Sequence, residues 1–515
     1  MTPRPPNILL ITSDQQHWDT LGVTNPTIRT PHLDRLCREG TRFTRAYCNN
    51  PVCSPSRATL LTGQYPSWHG CWTIGVKLAE DVPTVGQYLG QAGYATTLVG
   101  KAHLQPLRSD PPEQESWECL PKLRDLPFWR SFTGPWYGFE RVELARNHAD
   151  EPWVGQHYAL WMEEHGLADW PAYFNEVNPD TGNPRRSSRR HTWDLPPEYH
   201  YTTWTAERSI AAIERAREQN RPFFLWASFH DPHPPYLVPE PWASMYDPHE
   251  MQIGRPLEPP LLPGELDAMP PHYALTQQEH PDFSAWRETP FTNHGLGSHR
   301  VDEQTMKKNI AVYYGMISFM DQQIGRILSR LDDLGLSEDT LIVFSTDHGH
   351  FLGQHGLTAK GPFHYEDLLK LPFLVRWPGG GVPGGAVKDA LQALIDLPAT
   401  FLSATGVPVP GAMQGVNQLP VWTGAATSAR DEVLVEFRHQ PTTIHLRTYI
   451  DARYKLTVYR DRPYGELFDL VSDPHERANR WNDPAYADIK ADLFQRFVHA
   501  ELRREPMRFP RIAGA

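Results

Sequence analysis

The residues of this chain that can do chemistry gather in short polar clusters: Ser13-Asp14-Gln15-Gln16, Gly100-Lys101-Ala102-His103, His230-Asp231-Pro232-His233 and Asp347-His348-Gly349-His350. Each follows an apolar run and carries a carboxylate, an imidazole or a lysine. A further segment, Asn49-Asn50-Pro51-Val52-Cys53-Ser54-Pro55-Ser56-Arg57, sets a cysteine between two prolines, with an arginine four residues on. Carboxylates, imidazoles and cations around one point suit a metal ion with an anionic substrate, not an apolar ligand. Taken singly, an Asp or His after a strand is more often a cap or a turn hydrogen bond than a ligand. Four clusters at one place would require four such coincidences. Cys53 alone reads as a small buried thiol or as a thiolate nucleophile partnered by a histidine. Residues 56–61 predict the first turns of a helix, so the cysteine lies near a helix N-terminus, where free N–H groups favour negative charge. Arg57 adds a fixed positive fork.

The clusters meet only if the runs before them lie side by side. Residues 7–12, 95–99, 222–229 and 340–346 are rich in Ile, Leu, Val and Phe and too short for helices, which predicts buried strands. Between them, helical period and punctuation mark residues 30–40, with Thr30 as N-cap, Pro31 in the first turn and Gly40 as the stop, and residues 84–93, 205–220 and 309–335. This alternation predicts an α/β fold, a large mostly parallel sheet flanked by helices, with the ligand crevice at the carboxyl ends of the strands. From about residue 415, strands at 432–437, 443–450 and 454–458 and an amphipathic helix at 486–502 predict a smaller antiparallel sheet with a packed helix. The expected division is a catalytic domain over 1–414, with insertions at 105–204 and 237–300, and a C-terminal α+β subdomain over 415–515.

Composition narrows the function. With 40% hydrophobic and 21% charged residues, the 515-residue chain can bury a large core and is no disordered tail. Its 50 prolines point to many shaped loops. The charge is −12 and no basic run stands out, which argues against a nucleic-acid partner. Five cysteines, an odd number crowded into the first quarter, make a poor disulfide framework. No apolar run approaches the ~18 residues of a membrane span, and the short polar stretch 1–6 leaves no room for a signal peptide. A cytoplasmic protein with no membrane partner is the expectation.

Cys53-Ser54-Pro55-Ser56-Arg57 fits the C-x-P-x-R signature and resembles the formylglycine-dependent (type I) sulfatases of the alkaline phosphatase superfamily. The resemblance extends to the first strand with Asp14, to Gly100-Lys101-Ala102-His103, to Pro232-His233-Pro234-Pro235, to Asp347-His348 and to Lys360, thirteen residues after Asp347. The tail segment Gly465-Glu466-Leu467-Phe468-Asp469 resembles the family's as well. It implies an alkaline phosphatase-like fold, a sulfuric ester hydrolase acting on an aryl, carbohydrate or small alkyl sulfate, and a formylglycine-generating enzyme as maturation partner. Cys53 would be oxidised to formylglycine, the nucleophile as its hydrate. Asp14, Gln15, Asp347 and His348, with residue 53, would hold one divalent metal, Ca²⁺ first, with Mn²⁺ or Mg²⁺ as alternatives. Arg57 and Lys101 would stabilise the ionised hydrate. Lys101, Lys360 and His233 would surround the sulfate, His233 or Lys360 would protonate the leaving group, and His103 would deprotonate the second hydroxyl to expel sulfate. His233 is preferred over His230 for the sulfate-facing role.

Three departures matter. The signature ends in Thr62-Gly63-Gln64 where the family has Thr-Gly-Arg. The metal pairs are Asp14-Gln15 and Asp347-His348 where many relatives have Asp-Asp and Asp-Asn. Similar Gln and His substitutions occur in phosphonate monoester hydrolases, so hydrolysis of phosphonate monoesters or phosphodiesters is the alternative activity, with a non-catalytic binding homologue third. The cationic pair Lys101 and His103 favours sulfate. Residues 105–204 hold eight of the 17 tryptophans, together with His148, His157, His165, His191 and His200. These rings either wall the pocket or pack the insertion or the interface of a homo-oligomer. The long Pro-rich insertion at 237–300 is expected to be a lid or contact arm. Arg438 or His439 is expected to reach the pocket rim.

Overall fold

The computed structural model of the chain describes residues 5–107, 115–176, 191–288 and 295–505. At its centre an eight-stranded sheet runs in the order Ala386–Lys388, Thr41–Phe43, Leu374–Arg376, Thr340–Thr346, Asn7–Ser13, Phe223–Ser228, Ala95–Gly100, Arg141–Leu144. From Thr340–Thr346 to Arg141–Leu144 every neighbouring pair is parallel. Leu374–Arg376 runs antiparallel to both its neighbours. The central strands are apolar throughout because both faces are covered. Ile8, Leu10, Phe224, Trp226 and Val343 face one buried cluster, and Leu9, Ile11, Leu225, Ala227 and Phe344 face the other. Each buried Leu, Ile, Val or Phe among them contributes about 1.5–3 kcal/mol.

The second face is covered by Pro31–Glu39, Tyr201–Glu218 and the 31-residue helix Glu303–Asp333. The two longer helices begin earlier than their apolar period suggests, because polar side chains cap them: the His200 ring accepts from Thr202 N–H, and Asp302 from Thr305 N–H. Thr30 does not cap the helix after it. Asp321, from the long helix, takes that role by accepting from the N–H groups of His32 (3.1 Å) and Leu33 (2.7 Å). A cap supplied by a distant element leaves no local sequence signal.

The edge strand Arg141–Leu144 lies inside the expected insertion at 105–204. Its four residues, Arg-Val-Glu-Leu, alternate apolar with charged and are too few to read as a strand. In that insertion Trp161, Trp170, Trp193 and Trp204 form a cluster with Tyr158 and Tyr201. Trp117, Trp129 and Trp136 pack against the main core, Trp117 and Trp136 stacked at 5.9 Å. These seven rings pack the protein itself, and Trp153 lies under the Arg146 guanidinium at 5.5 Å. The described part of the 237–300 insertion, residues 237–288 and 295–300, reaches several elements: Trp242 stacks on Phe319 at 4.0 Å, and Glu265 binds both His355 and Arg477.

The C-terminal sheet is an antiparallel meander of Val433–Gln440, Ile444–Ile450, Tyr454–Tyr459 and Gly465–Asp469, followed by the helix Ala487–Arg503. The last strand is the tail segment noted in the sequence. Leu61, Trp422, Val433, Leu456 and Phe497 share one buried cluster, so this sheet is continuous with the main core. All five cysteines are free and buried. Among the described residues no helix is long and apolar enough to cross a membrane.

Candidate active site

Ser13 and Thr346 are partners in adjacent parallel strands, so the residues after them, Asp14 and Asp347, emerge side by side at the carboxyl edge. One ligand atom from each of Asp14, Cys53, Asp347 and His348 lies within 4.8 Å of all the others, and all four residues are buried. Gln15, at φ 63°, donates its backbone N–H to Asp347 Oδ1 (3.0 Å). Such a left-handed backbone costs a non-glycine residue about 1–3 kcal/mol, and surrounding contacts must hold it. The Gln15 Nε2 donates to His350 Nδ1 (2.7 Å), while its Oε1 is buried with no protein partner. His348 donates from Nδ1 to the Gly349 carbonyl (2.9 Å), leaving the Nε2 lone pair facing Cys53 Sγ at 3.2 Å. Two carboxylates, a fixed imidazole nitrogen and an orphaned amide oxygen fit a divalent cation.

Cys53 is the first residue of the helix Cys53–Thr62, after an extended Val52. Asn49 ties the preceding turn down, donating to the Leu434 carbonyl and accepting from Ile395 N–H. Ser56 Oγ donates to the Asp347 carbonyl (2.6 Å). Gly63 closes the helix at φ 65°, and Gln64, in the place of the family's arginine, donates to the Ala412 carbonyl. The Cys53 sulfur lies 3.1 Å from Lys360 Nζ and 3.6 Å from Asp14 Oδ1. Burial and the Asp14 charge push its thiol pKa up against the pull of Lys101 and Lys360. A cysteine hydrolase needs the opposite shift. Arg57 Nε donates to Asp347 Oδ2 (2.9 Å) and its NH1 to Ser228 Oγ and the Lys101 carbonyl, so the guanidinium locks three strand ends together.

The cations lie across Phe223–Ser228. Lys101 Nζ touches Asp14 Oδ2 and lies 2.7 Å from His148 Nε2. Burial would raise the pKa of Asp14, but Lys101, His233, His148 and Arg57 hold it well below the usual carboxylate range. His103 has φ 52°, and both its ring nitrogens are buried without a partner. Burial, Lys101, His148 and Arg57 hold its pKa well below that of an ordinary histidine. The backbone N–H groups of His103, Leu104 and Gln105 all donate to Glu118. His233 donates from Nδ1 to the Pro234 carbonyl (2.5 Å) and stacks on His148 at 3.8 Å. His230 donates to the Ala145 carbonyl (2.8 Å), and Asp231 accepts from Tyr201 and Thr202.

Asp14, Gln15, Cys53, Arg57, Lys101, His233, Asp347, His348 and Lys360 thus lie in one connected set of contacts, with His103 two residues beyond Lys101. Arg438, whose Nε donates to the Pro441 carbonyl, lies over the Trp72 ring, and His439 pairs with Thr73. Sequence reading assigned no role to His148, Glu118 or His350. His350 stood in a cluster already singled out. His148 follows the overlooked strand Arg141–Leu144, and the rule that found the other clusters would have found it had that strand been recognised.

The sulfatase family model matches residues 6–407, and that of the N-sulphoglucosamine sulphohydrolase C-terminal region matches residues 353–503. Among curated proteins, the chain is 28% identical to the multifunctional alkaline phosphatase superfamily protein PehA of Trinickia caryophylli, over 95% of this chain and 94% of the relative. It is 27% identical to an arylsulfatase of Clostridium perfringens, over 96% and 94%. Among solved structures, the phosphonate monoester hydrolase of Agrobacterium radiobacter superimposes with a TM-score of 0.77 at 25% identity, over 99% of this chain and 98% of that one.

Proposed function

Since the chain belongs to the sulfatase family, we propose that it hydrolyses a sulfate monoester with a formylglycine made from Cys53 and one divalent metal, Ca²⁺ first. The observation that carries this reading is the placement of Cys53 at a helix N-terminus, with its thiol kept from ionising, against Lys360 and a set of metal-ligand atoms. Asp14, Gln15, Asp347 and His348, with residue 53, would hold the ion, which when bound supplies Lewis-acid charge neutralisation and activation of the nucleophile. The modification supplies an oxygen nucleophile in place of the thiol.

The chain's own residues do the rest. Asp14 stays ionised beneath the cations, and Arg57 keeps Asp347 and the Lys101 carbonyl in register. Lys101 and Lys360 present N–H groups from two sides, aimed where charge develops on the ester oxygens. Of the two candidates for protonating the leaving oxygen, Lys360 is the one in contact with residue 53. His233 is kept neutral by burial and neighbouring positive charge, its Nδ1–H tied to Pro234. His103, neutral with two free nitrogens, is suited to accept the proton that regenerates the nucleophile.

The second reading, hydrolysis of phosphonate monoesters, is favoured by the Gln15 and His348 ligands and by the likeness to the phosphonate monoester hydrolase structure. Peptide mass mapping across Cys53, with and without a coexpressed formylglycine-generating enzyme, tests the nucleophile, and an unconverted thiol in fully active protein would overturn it. A panel of aryl, sugar and choline sulfates beside phosphonate esters tests the substrate. We expect kcat/KM for a sulfate to lead, and a lead for the phosphonates would establish the second reading.

A further inference from the structure

His148 comes from the loop after the edge strand Arg141–Leu144 and enters the site from the flank opposite Cys53. Its Nδ1 lies 3.2 Å from Glu151 Oε2, and its backbone N–H also turns toward that oxygen (3.4 Å). Arg146 holds the same carboxylate at 3.1 Å. A carboxylate accepts, so the His148 proton sits on Nδ1 and the Nε2 lone pair faces outward. What it meets is Lys101 Nζ, at 2.7 Å. An ammonium only donates, so the direction of every bond in Glu151–His148–Lys101 is fixed. The ring is also fixed in plane, stacked on His233 at 3.8 Å and 16°.

Lysine is a compact charge on a flexible four-carbon stem and has no geometry of its own. Asp14 alone would fix one N–H of the Lys101 ammonium and leave the other two free to turn about it. His148 Nε2, 3.6 Å from Asp14 Oδ2, is a second acceptor that fixes that rotation. Of its three N–H bonds, Asp14 takes one and His148 another, and among the described residues the third has no partner. We infer that His148, oriented by Glu151, is a positioning residue that takes a second N–H of Lys101 beside Asp14 and so turns the third toward an oxygen of the substrate anion. This rests on the reading of the site as one that binds a sulfate or phosphonate ester.

Two substitutions separate the acceptor from the ring. His148→Phe keeps a flat ring on His233 and removes the lone pair. His148→Gln keeps an acceptor within reach and removes the stack. On the Ca²⁺-loaded protein, calorimetry with inorganic sulfate and with methylphosphonate gives anion affinity, and kcat and KM are measured on the best ester of the panel. We expect His148→Phe to weaken anion binding about tenfold and to lower kcat by about tenfold or more, and His148→Gln to return both to within about threefold of the wild type. In a Lys101→Met background, His148→Phe should add less than about twofold, because the residue acts through that lysine. Melting temperatures accompany each variant, and the Gln variant keeps the test alive if the Phe variant does not fold. The proposal fails if His148→Phe matches the wild type, if Gln is as damaging as Phe, or if the two losses add fully in the double variant. A wild type that binds neither anion overturns the functional reading together with the proposal. A wild type that binds one of them, with unchanged variants, overturns the proposal alone.

Discussion

Where Asn7–Ser13 lies beside Thr340–Thr346, the groups Asp14, Gln15, Cys53, Asp347 and His348 are fixed largely by backbone: a strand register, a helix start, a Gln15 N–H on Asp347, a His348 ring on its neighbour's carbonyl. Across Phe223–Ser228, the groups Lys101, His103 and His148 are fixed largely by side chains arriving from elsewhere, while His233 is tied to the carbonyl of Pro234. Glu118 gathers three N–H groups of the 103–105 turn, Glu151 orients His148, and Tyr201 and Thr202 hold Asp231. Backbone fixation tolerates little variation in the residues it places. Side-chain fixation can be rewired by changing an insertion while the sheet stays as it is. Under the proposed function, the Cys53 side would set the reaction, and the side of Lys101 and His148 would tell one ester from another.

The strongest way to break that contrast is Cys53→Ser. Serine keeps the backbone placement, the helix start and the Lys360 neighbour, but left as an alcohol it has no second hydroxyl from which to expel sulfate. Steady-state turnover should fall by about 10³-fold or more, with at most one turnover per molecule in a burst experiment and with substrate affinity kept. Multiple turnover near the wild-type rate would show that residue 53 is not the nucleophile.

His350→Leu asks whether the backbone-built side also leans on one side chain. Gln15 Nε2 can only donate, so His350 Nδ1 accepts, and its Nε2–H is left to donate to Tyr236 Oη at 2.8 Å. That chain turns the Gln15 Oε1 away from His350. Losing it should weaken divalent-metal affinity about 10–100-fold, as for other partners behind metal ligands. Titration of the metal-free protein with Ca²⁺ and with Mn²⁺ checks it, and unchanged affinity would leave Gln15 positioned by backbone alone.

The same contrast explains what the sequence made legible. Asp14 and Asp347 directly follow apolar strands and Cys53 lies inside a local signature, so period and spacing reveal them, whereas Lys360 is legible only through the family resemblance. The central strands run as read: 7–12 against Asn7–Ser13, and 340–346 unchanged. His148 was seen only as one histidine of a Trp-rich stretch, because its strand is four residues long with two charges, Arg141 and Glu143, the latter paired with Arg208. The Asp321 cap and Glu118 were invisible for a related reason. Each acts on backbone N–H groups, which are the same in every sequence.

Glu151→Gln gives the smallest effect and probes the cationic side through stability. Burial would raise the carboxyl pKa, but His148 and Arg146 pull it down to about 2. A folded pKa below the unfolded value of about 4.3 means that the unfolded chain binds more protons between those limits. The carboxylate's contribution is therefore complete above about pH 4.3 and is lost as the pH falls toward 2. Because a quarter of the Glu151 side chain is exposed, the full shift overstates its worth, and about 1–2 kcal/mol is expected at neutral pH. Glu151→Gln should melt below the wild type at pH 6 and converge with it as the pH drops through 4 toward 2, in melts followed at matched ionic strength. A gap that stayed constant with pH would mean that Glu151 acts by shape and hydrogen bonding alone, and the cationic side would then be built as rigidly as the side that holds Cys53.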